Sequence, residues 1–203
     1  MAPSSGTTAA TTPAVPSSAV AESSAPAYAS LVVSPQGIGS LQVGAAPALS
    51  SMIRFSANHC DADPLYASSG GYPGAVSDRW LSTYPDFGGS GFMVAAADVV
   101  SRIDVRDPAL VTAEGAGVGT AEADLTQKYG DRLSMVYSGS VSDVWALADT
   151  PGTLVFEVAK DRSGGSYWDA DKANRVSGVR VLAAGIDPAF ATAGTDNQAG
   201  SCV

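Results

Sequence analysis

A weak internal repeat constrains the fold of this chain more than any other sequence feature. At offsets of 80, 76 and 75 residues, three segments recur: Asp107–Ala113 as Asp187–Ala193, Val100–Val105 as Val176–Val181, and Val43–Ala46 as Val118–Ala121. Three matches in the same order indicate a duplicated module, with loops of different length accounting for the change in offset. We therefore expect two similar modules, residues 30–114 and 115–203.

The stretch before the first module has a different composition from the rest of the chain. The first thirty residues are mostly Ala, Ser, Thr and Pro, with Glu22 as the single charged residue and Tyr28 as the single aromatic one. Such a segment cannot bury enough apolar area to offset the entropy of ordering its backbone. The sequence therefore predicts a disordered tether over residues 1–29.

Each module combines one predicted helix with several short strands. In the second module Thr120 is the predicted N-cap, Leu125 and Tyr129 form an apolar stripe, and Gly130 ends the helix. In the first module a helix is predicted to begin at Pro47, with Leu49, Met52 and Ile53 at helical spacing. The predicted strands are 30–34, 38–43, 92–97, 99–105, 110–113, 133–137, 141–147, 153–158 and 176–183. This order indicates an α+β fold of two tandem helix-plus-antiparallel-sheet modules, with the helices packed on one face.

Two polar inserts, residues 61–90 and 161–175, interrupt the modules and contain a large share of the aromatic residues. Tyr and Trp are favoured anchors at protein interfaces because they combine large rigid area with a polar tip. The candidate partner-binding residues are therefore Trp80, Tyr84, Phe87, Tyr167 and Trp168. The alternative is that each insert folds back and buries its aromatic side chains as a satellite of the core.

The two cysteines, Cys60 and Cys202, are the only ones in the chain. Cys202 lies next to the C-terminal residue, where a disulfide bond would fix the chain end, and we predict that it pairs with Cys60. Two free buried thiols are the alternative. Pairing would favour an exported location, because disulfide bonds persist in oxidising compartments.

The remaining residue types exclude more chemistry than they indicate. A net charge of −9 disfavours nucleic acid as a partner. His59 is the single histidine, and Asp61-Ala-Asp63 and Asp169-Ala-Asp171 lack the spaced Glu of a calcium loop. No membrane-spanning apolar run, nucleophile elbow or phosphate loop occurs. We therefore expect no catalytic residue, cofactor or metal, although paired carboxylates in a groove between the modules would suit a hydrolase.

A family resemblance starts from two glycine-rich segments. Gly-Ile-Gly-Ser-Leu-Gln-Val-Gly at 37–44 and Gly-Ala-Gly-Val-Gly-Thr at 115–120 resemble the turn-into-helix signature of small bacterial envelope lipoproteins. These include SmpA/OmlA-type lipoproteins and the tandem-repeat β-lactamase inhibitory protein. The Ala-rich composition is also similar to that of uncharacterised secreted or lipid-anchored proteins of high-GC Gram-positive bacteria. The resemblance implies helices laid against antiparallel strands and a sheet face that holds another protein.

Together these features predict a non-enzymatic exported or surface-anchored bacterial protein that binds an envelope protein or a cell-wall component. A lipid anchor is expected at the native N-terminus, with Met1 standing in place of a lipidated cysteine. The alternatives are a cell-envelope hydrolase that uses paired carboxylates, and a structural or assembly lipoprotein.

Overall fold

A six-stranded antiparallel sheet forms the centre of the molecule. The structure, a computed structural model, describes residues 24–62, 78–84, 91–160, 168–190 and 199–202. The strands of this sheet are β6 (Phe92–Ala96), β7 (Val100–Val105), β8 (Ser134–Ser138), β9 (Ser142–Asp149), β10 (Gly152–Ala159) and β11 (Val176–Ala183). Their order across the sheet is β6-β7-β11-β10-β9-β8.

Two smaller sheets flank the central one. The first is a three-stranded meander of β1 (Val33–Ser34), β2 (Gly37–Ile38) and β3 (Leu41–Gln42). The second is an antiparallel pair of β4 (Ile53–Ser56) and β5 (Arg79–Ser82), and β5 lies beside β6 without joining its ladder. Of the described residues, 40% lie in strands and 18% in helices, so this part of the chain is mainly β. The predicted α+β fold of two helix-plus-sheet modules with helices packed on one face is therefore wrong.

One α-helix, α1 (Glu122–Tyr129), lies in the described part of the chain. Leu125 and Tyr129 are buried, and the Tyr129 ring lies 5.6 Å from the Phe156 ring of β10. Gly130 ends the helix with a φ of 53°, as predicted. The predicted N-cap is wrong, because Ala121 caps the helix and Thr120 instead accepts a hydrogen bond from the Gly117 amide at 3.0 Å.

The helix predicted after Pro47 is absent from the structure. Pro47–Leu49 forms a single 3-10 turn, and β4 begins at Ile53. The apparent stripe does not share a face, since Leu49 is 81% exposed whereas Met52 is fully buried. With two serines directly after Leu49, this segment offers no continuous apolar face that packing could stabilise as a helix.

The glycine motif at 37–44 builds a meander and not an entry into a helix. Gly37, Gly39 and Gly44 all have positive φ values, which only glycine adopts readily. At Gly37 a Cβ would run into the carbonyl oxygen of Leu41 on the neighbouring strand β3. The motif therefore encodes the tight turns that join β1, β2 and β3.

The main core lies between one face of the six-stranded sheet, helix α1 and the small meander. Phe92, Ile103, Phe156 and Val181 are fully buried there, together with Ile38 from the meander. Part of the predicted tether also packs on this core, through Ala25 and Tyr28. The Tyr28 hydroxyl in addition donates a hydrogen bond to Asp107 at 2.7 Å. Residues 24–29 thus belong to the folded part of the chain.

Candidate functional site

An open cavity of about 370 Å³ lies between the β4–β5 pair, strand β6 and the C-terminal segment. We call it the aromatic groove. Its lining consists of Phe55, Asp78, Arg79, Trp80, Val94, Ala95, Ala96, Ala97, Gly200 and Ser201. Trp80, one of the predicted partner-binding residues, is therefore placed at a cavity.

The register of the β4–β5 pair brings the two large rings of the groove together. Phe55 lies directly opposite Trp80, and their ring centroids are 5.5 Å apart at an angle of 60°. Trp80 also packs against the main core, whereas the Phe55 side chain is 52% exposed. Aromatic cross-strand pairs stabilise a two-stranded sheet, so the same contact fixes the groove wall and presents a ring to solvent.

The C-terminal wall of the groove is held by covalent and hydrogen bonds. Cys60 and Cys202 form a disulfide bond across 142 residues, which confirms the predicted pairing. Arg79 donates from Nε to the Gly200 and Ser201 carbonyls, both at 3.2 Å, and from Nη2 to Ser201 at 2.7 Å. These bonds hold residues 200–202 in place as one wall of the groove.

The lining favours an apolar group with a polar neighbour. Small side chains at Ala95, Ala96 and Ala97 leave room along β6, and the rings of Phe55 and Trp80 face the same cavity. Among the lining residues, the Asp78 carboxylate accepts a hydrogen bond from the backbone amide of Asn58 at 2.8 Å. Binding pockets are usually lined by apolar and aromatic side chains with a few polar groups, and this lining has that composition.

The other predicted binding residues do not meet at this groove. Tyr84 packs its ring between Tyr28 and Phe92, at centroid distances of 5.3 and 6.0 Å, and its hydroxyl donates to the Pro26 carbonyl. Burial raises the pKa of Tyr84 above its ordinary value. Trp168 donates from Nε1 to the Val141 carbonyl at 2.8 Å and lines a different cavity. Phe87 and Tyr167 lie outside the described residues.

That second cavity, of about 380 Å³, lies over strands β7 and β11 and contains two carboxylates, Asp104 and Glu157. Asp104 accepts hydrogen bonds from Arg102 at 2.6 and 2.8 Å and from the Ala199 amide at 2.8 Å. Glu157 accepts from Ser142 at 2.7 Å and from Arg180 at 3.0 Å. Both carboxylates are therefore paired with arginine side chains in a buried network of the sheet.

This network was missed in the sequence, although a signal for it was present. Asp104 and Arg180 occupy equivalent positions of the two repeat copies, Val100–Val105 and Val176–Val181, and carry opposite charges. A charged residue between apolar neighbours in two paired strands points to a buried ion pair. Phe55 was also missed, because the segment after Pro47 was predicted as a helix, whereas strand β4 places Phe55 opposite Trp80.

The described residues also bear on metal binding, on cysteine chemistry and on membrane spanning. No group of three or more His, Cys, Asp or Glu side chains in this part of the chain is placed to hold a metal ion. Cys60 is bonded to Cys202, so it is not a thiol partner for His59. No helix among the described residues is both long enough and apolar enough to cross a bilayer.

No known protein-family model matches the chain, and no curated protein sequence matches it either. Among solved structures, the crystal structure of the uncharacterized protein yfeY from Escherichia coli aligns with 74% of this chain and 99% of its own. The sequence identity is 16% and the TM-score is 0.44. Similarity at this level assigns neither a family nor a function.

Proposed function

We propose that the protein is an exported or surface-anchored, non-enzymatic binding protein whose aromatic groove holds a protein or cell-wall partner. One observation carries this proposal: Phe55 is 52% exposed beside Trp80, at a groove whose opposite wall is held by the Cys60–Cys202 disulfide bond. An exposed aromatic ring at a preformed groove favours binding, because little ordering entropy is lost when a partner enters.

The disulfide bond supports export as the cellular setting of this function. Both cysteines of the chain are used in it. A structural disulfide bond is typical of proteins in oxidising compartments. The lipid anchor and the relationship to SmpA/OmlA-type lipoproteins and the β-lactamase inhibitory protein remain part of the proposal, and membrane fractionation of the native gene product tests the anchor.

The binding function is tested with the full chain and three single variants. A partner is first identified by cross-linking in isolated envelopes, with purified cell wall tested in parallel, and its affinity is then measured by calorimetry. Phe55→Ala and Trp80→Ala should each weaken binding more than about tenfold, since truncating an interface anchor costs more than about 1.4 kcal/mol.

Leu49→Ala is the matched control. Leu49 is 81% exposed and apolar but does not line the groove, so its truncation should leave the affinity within about twofold. Equal effects of all three variants would contradict the proposal, and so would full affinity in Phe55→Ala. Absence of any envelope or cell-wall ligand for the folded chain would also overturn it.

A further inference from the structure

A third cavity, of about 510 Å³, lies between residues 32–35, the C-terminal end of α1 and the β9–β10 hairpin. We call it the tyrosine cavity, because Tyr129 forms part of its lining. Its volume falls within the range of small-molecule binding sites. It shares no lining residue with the aromatic groove, so the two are separate sites of the molecule.

The inner lining of the tyrosine cavity is apolar and buried. Val33, Leu147 and Leu154 are 2%, 8% and 1% exposed, whereas Val32 at the opening is 45% exposed. Apolar side chains that continue from a buried lining to the surface favour a ligand with an apolar body, since its burial removes apolar area from water.

Two buried hydroxyl groups and one carboxylate meet at the polar part of the lining. The hydroxyl oxygens of Thr112 and Tyr129 are 2.6 Å apart, and the Tyr129 hydroxyl donates to Glu114 Oε2 at 3.3 Å. Burial raises the pKa of Glu114, but hydrogen bonds from the backbone, from Arg132 and from the two hydroxyl groups lower it by more. Glu114 is therefore negatively charged at neutral pH.

A cation of the protein itself already lies at this carboxylate. Arg132 Nη2 is 3.2 Å from Glu114 Oε1, and Arg132 Cζ is 5.4 Å from the centroid of the Tyr129 ring. A cation over an aromatic ring and beside a carboxylate is an arrangement that suits an ammonium group equally well. The Arg132 side chain is 60% exposed, and exposed ion pairs are weak, so a ligand can displace it at little cost.

We propose that the tyrosine cavity binds a small cationic amphiphile, in which an ammonium group is carried by an apolar body. The ammonium group replaces the Arg132 guanidinium between Glu114 and the Tyr129 ring, and the apolar body packs on the buried lining. Charge selects this class of ligand, because the described charged residues of the lining are two carboxylates, Glu114 and Asp149, against the single cation Arg132. The net charge of −9 adds a long-range attraction for cations and repels anions.

Three octyl probes that differ only in the head group test the proposal with the full chain. Octylammonium, 1-octanol and nonanoate are titrated at neutral pH, and binding is followed by calorimetry and by the amide signals of the isotope-labelled protein. Octylammonium should bind at least about tenfold more tightly than nonanoate, a difference of about 1.4 kcal/mol that one charge-assisted contact can supply. The largest amide shifts should fall on residues 112–114 and 147–149.

Two substitutions of opposite sign assign the binding to this site. Glu114→Gln should weaken octylammonium binding at least about tenfold, because it removes the charge that holds the head group, and should leave 1-octanol binding within about twofold. Arg132→Gln should strengthen octylammonium binding at least about threefold, because it removes the competing cation. A general loss of structure cannot raise the affinity, so the second variant distinguishes a binding role from a structural one.

Asp131→Asn and Phe55→Ala are the controls. Asp131 is an exposed carboxylate beside Arg132 that does not line the cavity, and Phe55 lines the aromatic groove instead. Both variants should bind octylammonium within about twofold of the wild type, and circular dichroism confirms that all four variants are folded.

Four results would overturn the proposal. They are equal affinities for the three probes, weaker octylammonium binding by Arg132→Gln, amide shifts confined to the aromatic groove, and no octylammonium binding up to about 5 mM, where even a weak ligand would be detected.

Discussion

Asp104 and Arg180 lie directly opposite each other on the adjacent antiparallel strands β7 and β11, with Arg180 Nε 3.6 Å from Asp104 Oδ1. In the internal repeat these two residues are equivalent positions, 76 residues apart. The neighbouring pairs follow the same relation, since Val105 faces Val179 and Ile103 faces Val181. A local two-fold axis perpendicular to the sheet would therefore pass between Asp104 and Arg180. Duplication of the whole module stays a prediction.

The ion pair between Arg180 and Glu157 should be costly to break from one side. Arg180→Met leaves the Glu157 carboxylate, whose side chain is 1% exposed, without its arginine, and the expected loss is about 3–5 kcal/mol of unfolding free energy. The double variant Glu157→Met/Arg180→Met should recover most of this loss, because it removes both charges. Urea denaturation measures the unfolding free energy of the single and the double variant.

Arg132→Met is the control for that experiment. Arg132 pairs with Glu114 at 3.2 Å, but its side chain is 60% exposed, so its loss should cost no more than about 1 kcal/mol. If Arg180→Met lowered the unfolding free energy no more than Arg132→Met does, the buried network would contribute little to stability.

Gly37→Ala should destabilise the meander of β1, β2 and β3. The φ of Gly37 is 151°, and a Cβ there would overlap the Leu41 carbonyl oxygen. We expect the unfolding free energy to fall by more than about 2 kcal/mol, because backbone strain adds to the clash. Thermal unfolding measures this, with Gly178→Ala as the control, since a Cβ at Gly178 meets nothing closer than 4.0 Å. Equal melting temperatures for the two variants would contradict the prediction.

Tyr129 should make the protein sensitive to alkaline pH. Burial raises its pKa from 10.0 to about 12; the hydrogen bond with Thr112 opposes this rise, and the Glu114 carboxylate adds to it. Since the folded protein favours the neutral phenol, this stabilisation is complete below pH 10 and is lost as the pH rises through about 12. The unfolding free energy of the wild type should therefore fall towards that of Tyr129→Phe in this range.

At neutral pH, Tyr129→Phe should cost about 1 kcal/mol through its lost hydrogen bonds. Tyr137→Phe serves as the control at neutral pH, because Tyr137 is 41% exposed and the loss of its hydroxyl should change the unfolding free energy by no more than about 0.5 kcal/mol. A gap between wild type and Tyr129→Phe that stays the same from pH 9 to pH 12 would contradict the assignment.

Removing the disulfide bond should loosen the C-terminal wall of the aromatic groove. Cys60→Ser/Cys202→Ser should lower the unfolding free energy by about 2–5 kcal/mol, because the bond closes a long loop in the unfolded chain. The Ala199 amide, which donates to Asp104 at 2.8 Å, should then exchange its hydrogen faster. Reductant should lower the unfolding free energy of the wild type by the same amount and leave that of the double variant unchanged. This result would assign the loss of stability to the disulfide bond. Unchanged stability would show that the hydrogen bonds to Arg79 and Asp104 hold the segment without the disulfide bond.

Parts of the fold could be predicted because the signal was local. The stripe of Leu125 and Tyr129 with Gly130 behind it defined α1, and alternating residues defined β9. Strands were also predicted at 153–158 and 176–183, where β10 and β11 lie. The prediction of a helix after Pro47 was wrong, because three apolar residues at helical spacing fit a turn followed by a strand equally well. The interpretation of the glycine motif at 37–44 as an entry into a helix was wrong, because glycines with positive φ values occur in hairpin turns as readily as at helix entries.

The sequence by itself determined the apolar pattern of the strands, the end of α1 at Gly130 and the availability of one cysteine pair. Each of these depends on residues close in the chain or on a count of residue types. Only the tertiary structure decided that Phe55 meets Trp80 beside the C-terminal segment, that Asp104 faces Arg180, and that β8 is the last described strand of its sheet. These relationships depend on strand order and register, which are set by long-range packing of the sheet and not by any neighbouring residues.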